Sequence, residues 1–97
     1  MSPIILSPNM EAKLGTKHQV TAGEVKQCFE NVCGEYIEET AIQHVTDPAT
    51  HWFLAETNHG RLLKVIFVLR DGNLYIKSAF NANQTSIDLY AKLNQQQ

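Results

Sequence analysis

The sequence predicts an α+β domain with two N-terminal helices, an antiparallel sheet of about four strands and a C-terminal helix. Three observations lead to this fold class. Residues 51–80 contain three consecutive strand patterns and both of their turns. Asp71-Gly72, between two apolar, β-branched runs, is a strong hairpin signal. Helical patterns lie on both sides of this stretch. The 97 residues, 43% of them hydrophobic, suffice for one domain, 1–97.

The first elements are a short strand and a short helix. The apolar residues 4–6 are expected to form an edge strand or a packed arm. Ser7 is then placed as the N-cap and Pro8 as the first helical residue of a helix that runs to about Lys17. Gly15 weakens the interior of this helix.

The second helix is predicted over residues 22–32. Thr21 and Glu24 have the spacing of a capping box, in which each side chain satisfies the other residue's backbone amide. The buried stripe has the spacing i, i+3, i+4, i+7 and consists of Val25, Cys28, Phe29 and Val32.

The strands occupy the middle and the back half of the chain. A first strand is expected from about residue 36 to residue 45, where Asp47-Pro48 follows and ends it. The other three strands are predicted at 51–57, 61–70 and 73–80. Because the 61–70 strand is apolar on both faces, it should lie in the centre of the sheet.

A last helix closes the domain after the sheet. Asn81 or Asn83 is expected to cap it, and its buried stripe should contain Ile87, Tyr90 and Ala91. With helices on one face of the sheet, the other face should remain partly open, and an open face is where a ligand would bind.

Charge and composition exclude several classes of protein. The net charge of −2 provides no global field for avid, non-specific nucleic-acid binding, so any anion site must be a local patch. The chain has no apolar run near the roughly 20 residues of a membrane span, and its first ten residues do not resemble a signal peptide. We therefore expect a cytoplasmic protein.

Motifs for metal, cofactor and hydrolase chemistry are absent. Cys28 and Cys33 have a C-x4-C spacing that matches neither a zinc knuckle nor a redox motif, so free thiols are expected. The chain has no G-x-S-x-G, H-E-x-x-H, P-loop or G-x-G-x-x-G sequence. No metal and no cofactor are predicted.

Strand alternation selects the first candidate site residues. In the last strand, Leu74, Ile76 and Ser78 should share the core face, which leaves Tyr75 and Lys77 on the open side. A phenol and an ammonium group there can bind a ligand. The alternative is an ordinary solvated strand face.

Three further residues can contribute charge or proton transfer. If Trp52 and Leu54 point inward, His51 faces the open side and can act as an acid or a base near neutral pH. Arg61 can hold a phosphate in a bidentate manner, and Lys64 can supply a point charge. For Lys64 the structural alternative is a side chain that extends to the strand edge.

Several segments resemble one known family. The segments are 17–20 (KHQV), a strand that opens at Trp52, 60–65 (GRLLKV), and 78–80 (SAF) before a helix that contains Tyr90. Their order is similar to that of BrnT-like toxins of the RelE/ParE-like superfamily, over about residues 13–93. Small proteins of this kind are also labelled ADP-ribosyl-dinitrogen-reductase hydrolases, but the chain is too short and too poor in clustered carboxylates for that helical, metal-assisted fold.

The resemblance implies the toxin component of a type II toxin–antitoxin system. Such a toxin is a metal-independent ribonuclease that cleaves messenger RNA, in some cases on the ribosome, and a cognate antitoxin protein inhibits it. In this chain the resemblance would make His51 the base or acid, with charge stabilisation by Arg61, Lys64 and Lys77. Tyr75 or Tyr90 would position the substrate.

The chain also departs from this family. Many BrnT-like toxins have Arg where this chain has Phe80, and the acidic residue of the last helix corresponds to Ser86 or Asp88. The alternative function is therefore a catalytically silent domain of the same fold that binds a protein partner. The nuclease hypothesis requires that His51, Arg61 and Lys77 meet in one cationic pocket on the uncovered side of the sheet.

Overall fold

The computed structural model describes residues 3–39 and 50–95, which form an α+β domain. Its elements are, in chain order, β1 (Ile4–Ile5), α1 (Pro8–His18), α2 (Ala22–Asn31), β2 (Ile37–Glu38), β3 (Thr50–Glu56), β4 (Leu62–Arg70), β5 (Asn73–Asn81) and α3 (Gln84–Gln95). The predicted order of helices, sheet and closing helix is confirmed. Of the predicted first strand, β2 is described, and positions 40–45 lie outside the described residues.

The helix starts follow the predicted capping chemistry. The Ser7 hydroxyl accepts a hydrogen bond from the Met10 amide at 3.2 Å, and Pro8 opens α1. The Thr21 and Glu24 side chains exchange the two bonds of the capping box, each at 3.1 Å.

The start of α3 decides between the two asparagines predicted as its cap. Asn83 caps α3, because its side-chain oxygen accepts a hydrogen bond from the Ser86 amide at 2.8 Å. Asn81 is instead the last residue of β5.

The sheet has five strands in the order β1-β5-β4-β3-β2. The prediction was an antiparallel sheet of about four strands. The observed sheet is mixed, because β1 pairs in parallel with β5 through Ile4 and Ile5. The apolar strand β4 is central, as predicted. Asp71 (φ 53°) and Gly72 (φ 81°) both have positive φ in the β4–β5 turn, the conformation that a type I′ hairpin requires.

Helices α1 and α2 cover one face of the sheet and form the main core with it. Phe53, Val65 and Ala79, from three neighbouring strands, have no exposed surface. The Phe29 ring of α2 lies 4.8 Å from the Phe53 ring, centroid to centroid. Burial of these rings and aliphatic side chains is the main favourable contribution to folding.

Helix α3 covers part of the second face, above β3. Trp52 and Leu54 are 5% and 6% exposed on this side, and the Tyr90 ring lies 5.6 Å from the Trp52 ring. Strand β3 is therefore buried on both faces. The rest of this side is called here the open face and consists of Lys64, Ile66, Val68, Arg70, Tyr75, Lys77, Ser78 and Phe80.

A β-bulge in β5 changes which residues reach the open face. Ile66 pairs with Ser78 and Phe67 pairs with Ile76, so Lys77 is the extra residue. Leu74 and Ile76 lie in the core, as predicted. The predicted core position of Ser78 is wrong, because the bulge shifts the alternation and places Ser78 beside Ile66.

No helix within residues 3–39 and 50–95 is both long and apolar enough to cross a membrane.

Candidate functional site

His51 does not face the open side of the sheet. It shares its face with Phe53 under the helices, and its ring stacks on the Phe67 ring at 5.8 Å with an interplanar angle of 22°. Its Nδ1 atom is buried without a hydrogen-bond partner. The predicted orientation is wrong, because Trp52 and Leu54 turn to the opposite face, where α3 buries them.

Arg61 is bound to the junction of α1 and α2. Its guanidinium donates to the carbonyl oxygens of His18 and Gln19 at 2.8 and 2.6 Å and to Asn81 Oδ1 at 2.8 Å. It also forms an ion pair with Glu24 at 3.2 Å. The cation lies at the C-terminal end of α1, where it meets the negative end of the helix dipole.

The ion pair changes the acidity of Glu24. Burial by itself raises the pKa of this carboxyl group, but the Thr21 amide, the Arg61 guanidinium and the Thr21 hydroxyl together lower the pKa below its ordinary value. The contacts of Arg61 therefore account for its position without a substrate.

His51, Arg61 and Lys77 do not form the predicted common pocket. His51 pairs with Phe67, and the distance along β4 from position 61 to position 67 is roughly 20 Å at about 3.3 Å per residue. Lys77 is exposed on the opposite face of the sheet from His51. The expectation that these three side chains share one surface is wrong.

Lys64 and Tyr90 meet at Trp52. The Lys64 ammonium lies 4.5 Å from the centroid of the Trp52 ring, a cation–π distance, and 3.4 Å from the Ser86 hydroxyl. The Tyr90 hydroxyl donates to the Glu35 carbonyl oxygen at 3.1 Å. Burial raises the pKa of Tyr90. Through its contacts with Glu35 and Trp52, Tyr90 links α3 to the rest of the domain.

Tyr75 and Lys77 remain together on the open face, as predicted, and Arg70 joins them. With Val68 they line a shallow depression of about 230 Å³. The Tyr75 hydroxyl oxygen accepts a weak hydrogen bond from Asn73 Nδ2 at 3.4 Å. Among the described residues, neither Arg70 nor Lys77 has an ion-pair or hydrogen-bond partner.

Arg70 was missing from the residues selected from the sequence. The signal was present, because strand alternation places Lys64 and Arg70 on the same face of β4. Among the residues that the structure describes, no carboxylate lines the depression. Lys64, Arg70 and Lys77 together give the open face three cations in a protein whose net charge is −2.

Aromatic side chains lie between these cations on the open face. Tyr75 pairs across the strands with Val68, and Phe80 pairs with Lys64. The Phe80 ring also lies 5.4 Å from the His18 ring at the end of α1. Cations interleaved with aromatic rings on a sheet can bind phosphates and stack bases.

Metal chemistry has no obvious centre in the described part of the chain. Within residues 3–39 and 50–95, no group of three or more His, Cys, Asp or Glu side chains is placed to hold a metal ion.

The comparisons with known proteins give no relative. No protein-family model, no curated protein and no solved structure matches this chain.

Proposed function

We propose that this chain is the toxin component of a type II toxin–antitoxin system and that the open face contacts its RNA substrate. The toxin assignment rests on the resemblance of segments 17–20, 60–65 and 78–80 to BrnT-like toxins. The RNA contact rests on the depression where Arg70, Lys77 and Tyr75 meet, with no carboxylate among its described lining residues. A planar guanidinium can bind a phosphate through two hydrogen bonds, and an ammonium adds a point charge. The Tyr75 ring offers a surface on which a base can stack.

The nuclease site expected from the sequence is withdrawn, because His51, Arg61 and Lys77 share no pocket. Only a role in charge stabilisation is assigned to the depression. Metal-independent cleavage of RNA needs a base for the 2′-hydroxyl group and cations for the charge of the phosphorane. Arg70 and Lys77 supply the positive charge, and the proposal assigns no residue of the depression as the base. His51 and Arg61 have structural roles in this proposal.

Binding can be tested with an eight-nucleotide single-stranded RNA that carries a fluorophore, by anisotropy at several salt concentrations. For single strands the logarithm of the affinity falls with the logarithm of the salt concentration by about 0.7 per phosphate neutralised. Contacts from Lys64, Arg70 and Lys77 predict a slope of about −2. Lys77→Gln or Arg70→Gln should make the slope shallower by about 0.7.

Lys13→Gln is the matched control, because it removes the same charge from an exposed position on α1. It should leave the slope unchanged. Equal slopes for the Lys13, Arg70 and Lys77 variants would contradict an RNA contact at the depression.

Activity is tested by induced expression, with growth and RNA integrity followed in time. Expression of the unaltered chain should arrest growth and degrade messenger RNA, and Lys77→Gln should relieve both effects. His51→Ala should remain toxic. A neighbouring reading frame for a short DNA-binding antitoxin would support the same conclusion.

A second candidate function is the catalytically silent interaction domain. The observation that favours it is that the described lining of the depression contains neither a histidine nor a carboxylate, since these groups are the usual bases near neutral pH. RNA binding without growth arrest or RNA degradation would select this alternative.

A further inference from the structure

The outer edge of β3 borders a second, larger cavity. Strand β2 pairs only with Trp52 and His51 of β3. On its outer side, away from β4, the stretch from Phe53 to Glu56 therefore has no strand beside it among the described residues. An open groove of about 680 Å³ lies there and is called here the β3-edge groove. It is lined by Asn31, Cys33, Gly34, Leu54, Ala55, Glu56, Thr57, Asn58, Leu62 and Tyr90.

Side chains partly cap this edge of the sheet. Asn31 Nδ2 donates to the Glu56 carbonyl oxygen at 2.9 Å and to Asn58 Oδ1 at 3.0 Å. Tyr90 lines the groove together with Leu54, and its hydroxyl group donates to the Glu35 carbonyl oxygen at 3.1 Å. A capped edge resists the addition of another strand. The space therefore suits a side chain that enters the groove rather than a strand that extends the sheet.

Acidic residues lie in the described lining of the β3-edge groove and next to it in sequence, and the guanidinium of Arg61, which precedes the lining residue Leu62, is bound to the α1/α2 junction. Glu56 is the charged residue in its lining, and the exposed residues Glu30 and Glu35 stand next in sequence to the lining residues Asn31 and Gly34. Helix α2 ends at Asn31 and has no basic residue in its last turn, in contrast to α1 and α3. The negative end of its dipole therefore has no cation from its own last turn.

The apolar lining gives the groove its second property. Leu54, Leu62 and the Tyr90 ring provide hydrocarbon surface next to the Glu56 carboxylate. Lysine and arginine side chains have the matching form, since a long alkyl stem packs on apolar surface while the charged head stays near water and anions.

We propose that the β3-edge groove binds a lysine or arginine side chain that a segment of a partner protein presents. The stem packs between Leu54 and Leu62, and the cationic head lies near Glu56 and the C-terminal end of α2. The depression on the open face is formed by β4 and β5 and has the opposite charge. The proposal is therefore independent of RNA binding, and a negative result in the RNA-binding test would not affect it.

The test is an NMR titration of the ¹⁵N-labelled protein with a capped hexapeptide, acetyl-GLKLKG-amide. We expect saturable shift changes at the amides of Cys33, Leu54, Glu56 and Asn58. A second hexapeptide with norleucine for lysine keeps the stem and removes the ammonium group. It should bind about tenfold more weakly, a difference near 1.4 kcal/mol.

Two protein variants locate the charge that matters. Glu56→Lys should weaken the lysine peptide about tenfold, because it replaces an attraction by a repulsion at the groove. Glu11→Lys makes the same charge change on α1 and should leave the affinity unchanged. Both positions are exposed, so both variants should fold, which the ¹⁵N spectra will show directly.

The proposal is overturned by any of four results. The lysine peptide does not bind, its shift changes lie away from the groove, or the two charge-reversal variants bind it equally. Equal binding of the norleucine peptide would show an apolar site without the cation preference and would also overturn it.

Discussion

Replacement of Arg61 by Met tests whether this residue stabilises the fold or serves a reaction. The variant keeps much of the alkyl stem and removes the guanidinium. The guanidinium binds the carbonyl oxygens of His18 and Gln19 at 2.8 and 2.6 Å and Asn81 at 2.8 Å. It also pairs with Glu24 at 3.2 Å. The start of β4 would lose its connection to the junction of α1 and α2.

The expected loss of stability follows from these contacts. A hydrogen bond that involves a charged group contributes about 1.5–3 kcal/mol, so the two carbonyl contacts at the lower end amount to about 3 kcal/mol. The Arg61 and Glu24 side chains are 28% and 22% exposed, and such a pair adds less than about 1 kcal/mol. Water can replace part of the bonding to the carbonyl groups. We expect a loss of about 2–4 kcal/mol.

The assays are urea unfolding, which gives the free energy of unfolding, and thermal unfolding, which gives Tm, each followed by circular dichroism. For a domain of this size each kcal/mol shifts Tm by about 4–8 °C, so Tm should fall by about 10 °C or more. Arg70→Met is the matched control, because Arg70 is exposed and has no described partner. The free energy of unfolding of this variant should differ from that of the unaltered protein by less than about 0.5 kcal/mol. Equal stability of the two variants would refute the structural role of Arg61.

The remaining predictions concern two glycines, two thiols and one carboxyl group. Gly34→Ala should destabilise by about 1–3 kcal/mol, because its Cβ would lie 2.6 Å from the hydroxyl of the α3 tyrosine. Gly23→Ala, with no contact nearer than 3.8 Å in α2, should stabilise by about 0.5–1 kcal/mol; thermal unfolding compares the two. Iodoacetamide should alkylate the exposed Cys33 and spare Cys28 in the native protein, since burial raises the pKa of Cys28 to about 11; equal labelling by mass spectrometry would contradict this. Because the pKa of Glu24 is lowered in the folded state, its carboxylate stabilises the protein at pH values above the ordinary pKa of 4.5. This stabilisation should be lost as the pH falls through the folded-state pKa. Urea unfolding at neutral pH and near pH 3 should show a smaller pH dependence in Glu24→Gln.

Local signals predicted the elements of this fold well. The capping box of Thr21 and Glu24 and the Asp71-Gly72 turn act over a few residues, so their chemistry is complete in the sequence. The order of the helices and strands follows from them. The parallel pairing of β1 with β5 was not predictable in the same way, because it joins Ile4 to Leu74 and depends on where the chain returns.

The candidate site was predicted only in part. Tyr75 and Lys77 were placed on the open face by alternation, which holds within that part of β5. His51 was misplaced, because β3 is apolar on both faces and its alternation gives no sign of which face α3 will cover. Arg61 was read as a free cation, whereas its partners His18 and Gln19 lie more than forty positions away in the chain.

The sequence by itself determined the kinds of elements, their order, the hairpin and the absence of a global positive charge. The tertiary structure decided which cations are available: Arg61 binds the helix junction, Lys64 lies over Trp52, and the side chains of Arg70 and Lys77 have no partner within residues 3–39 and 50–95. The physical reason is the distance along the sequence between the groups that interact. Capping and turn formation depend on neighbours a few residues apart, whereas the partners of a charged side chain depend on packing between segments that are distant in the chain.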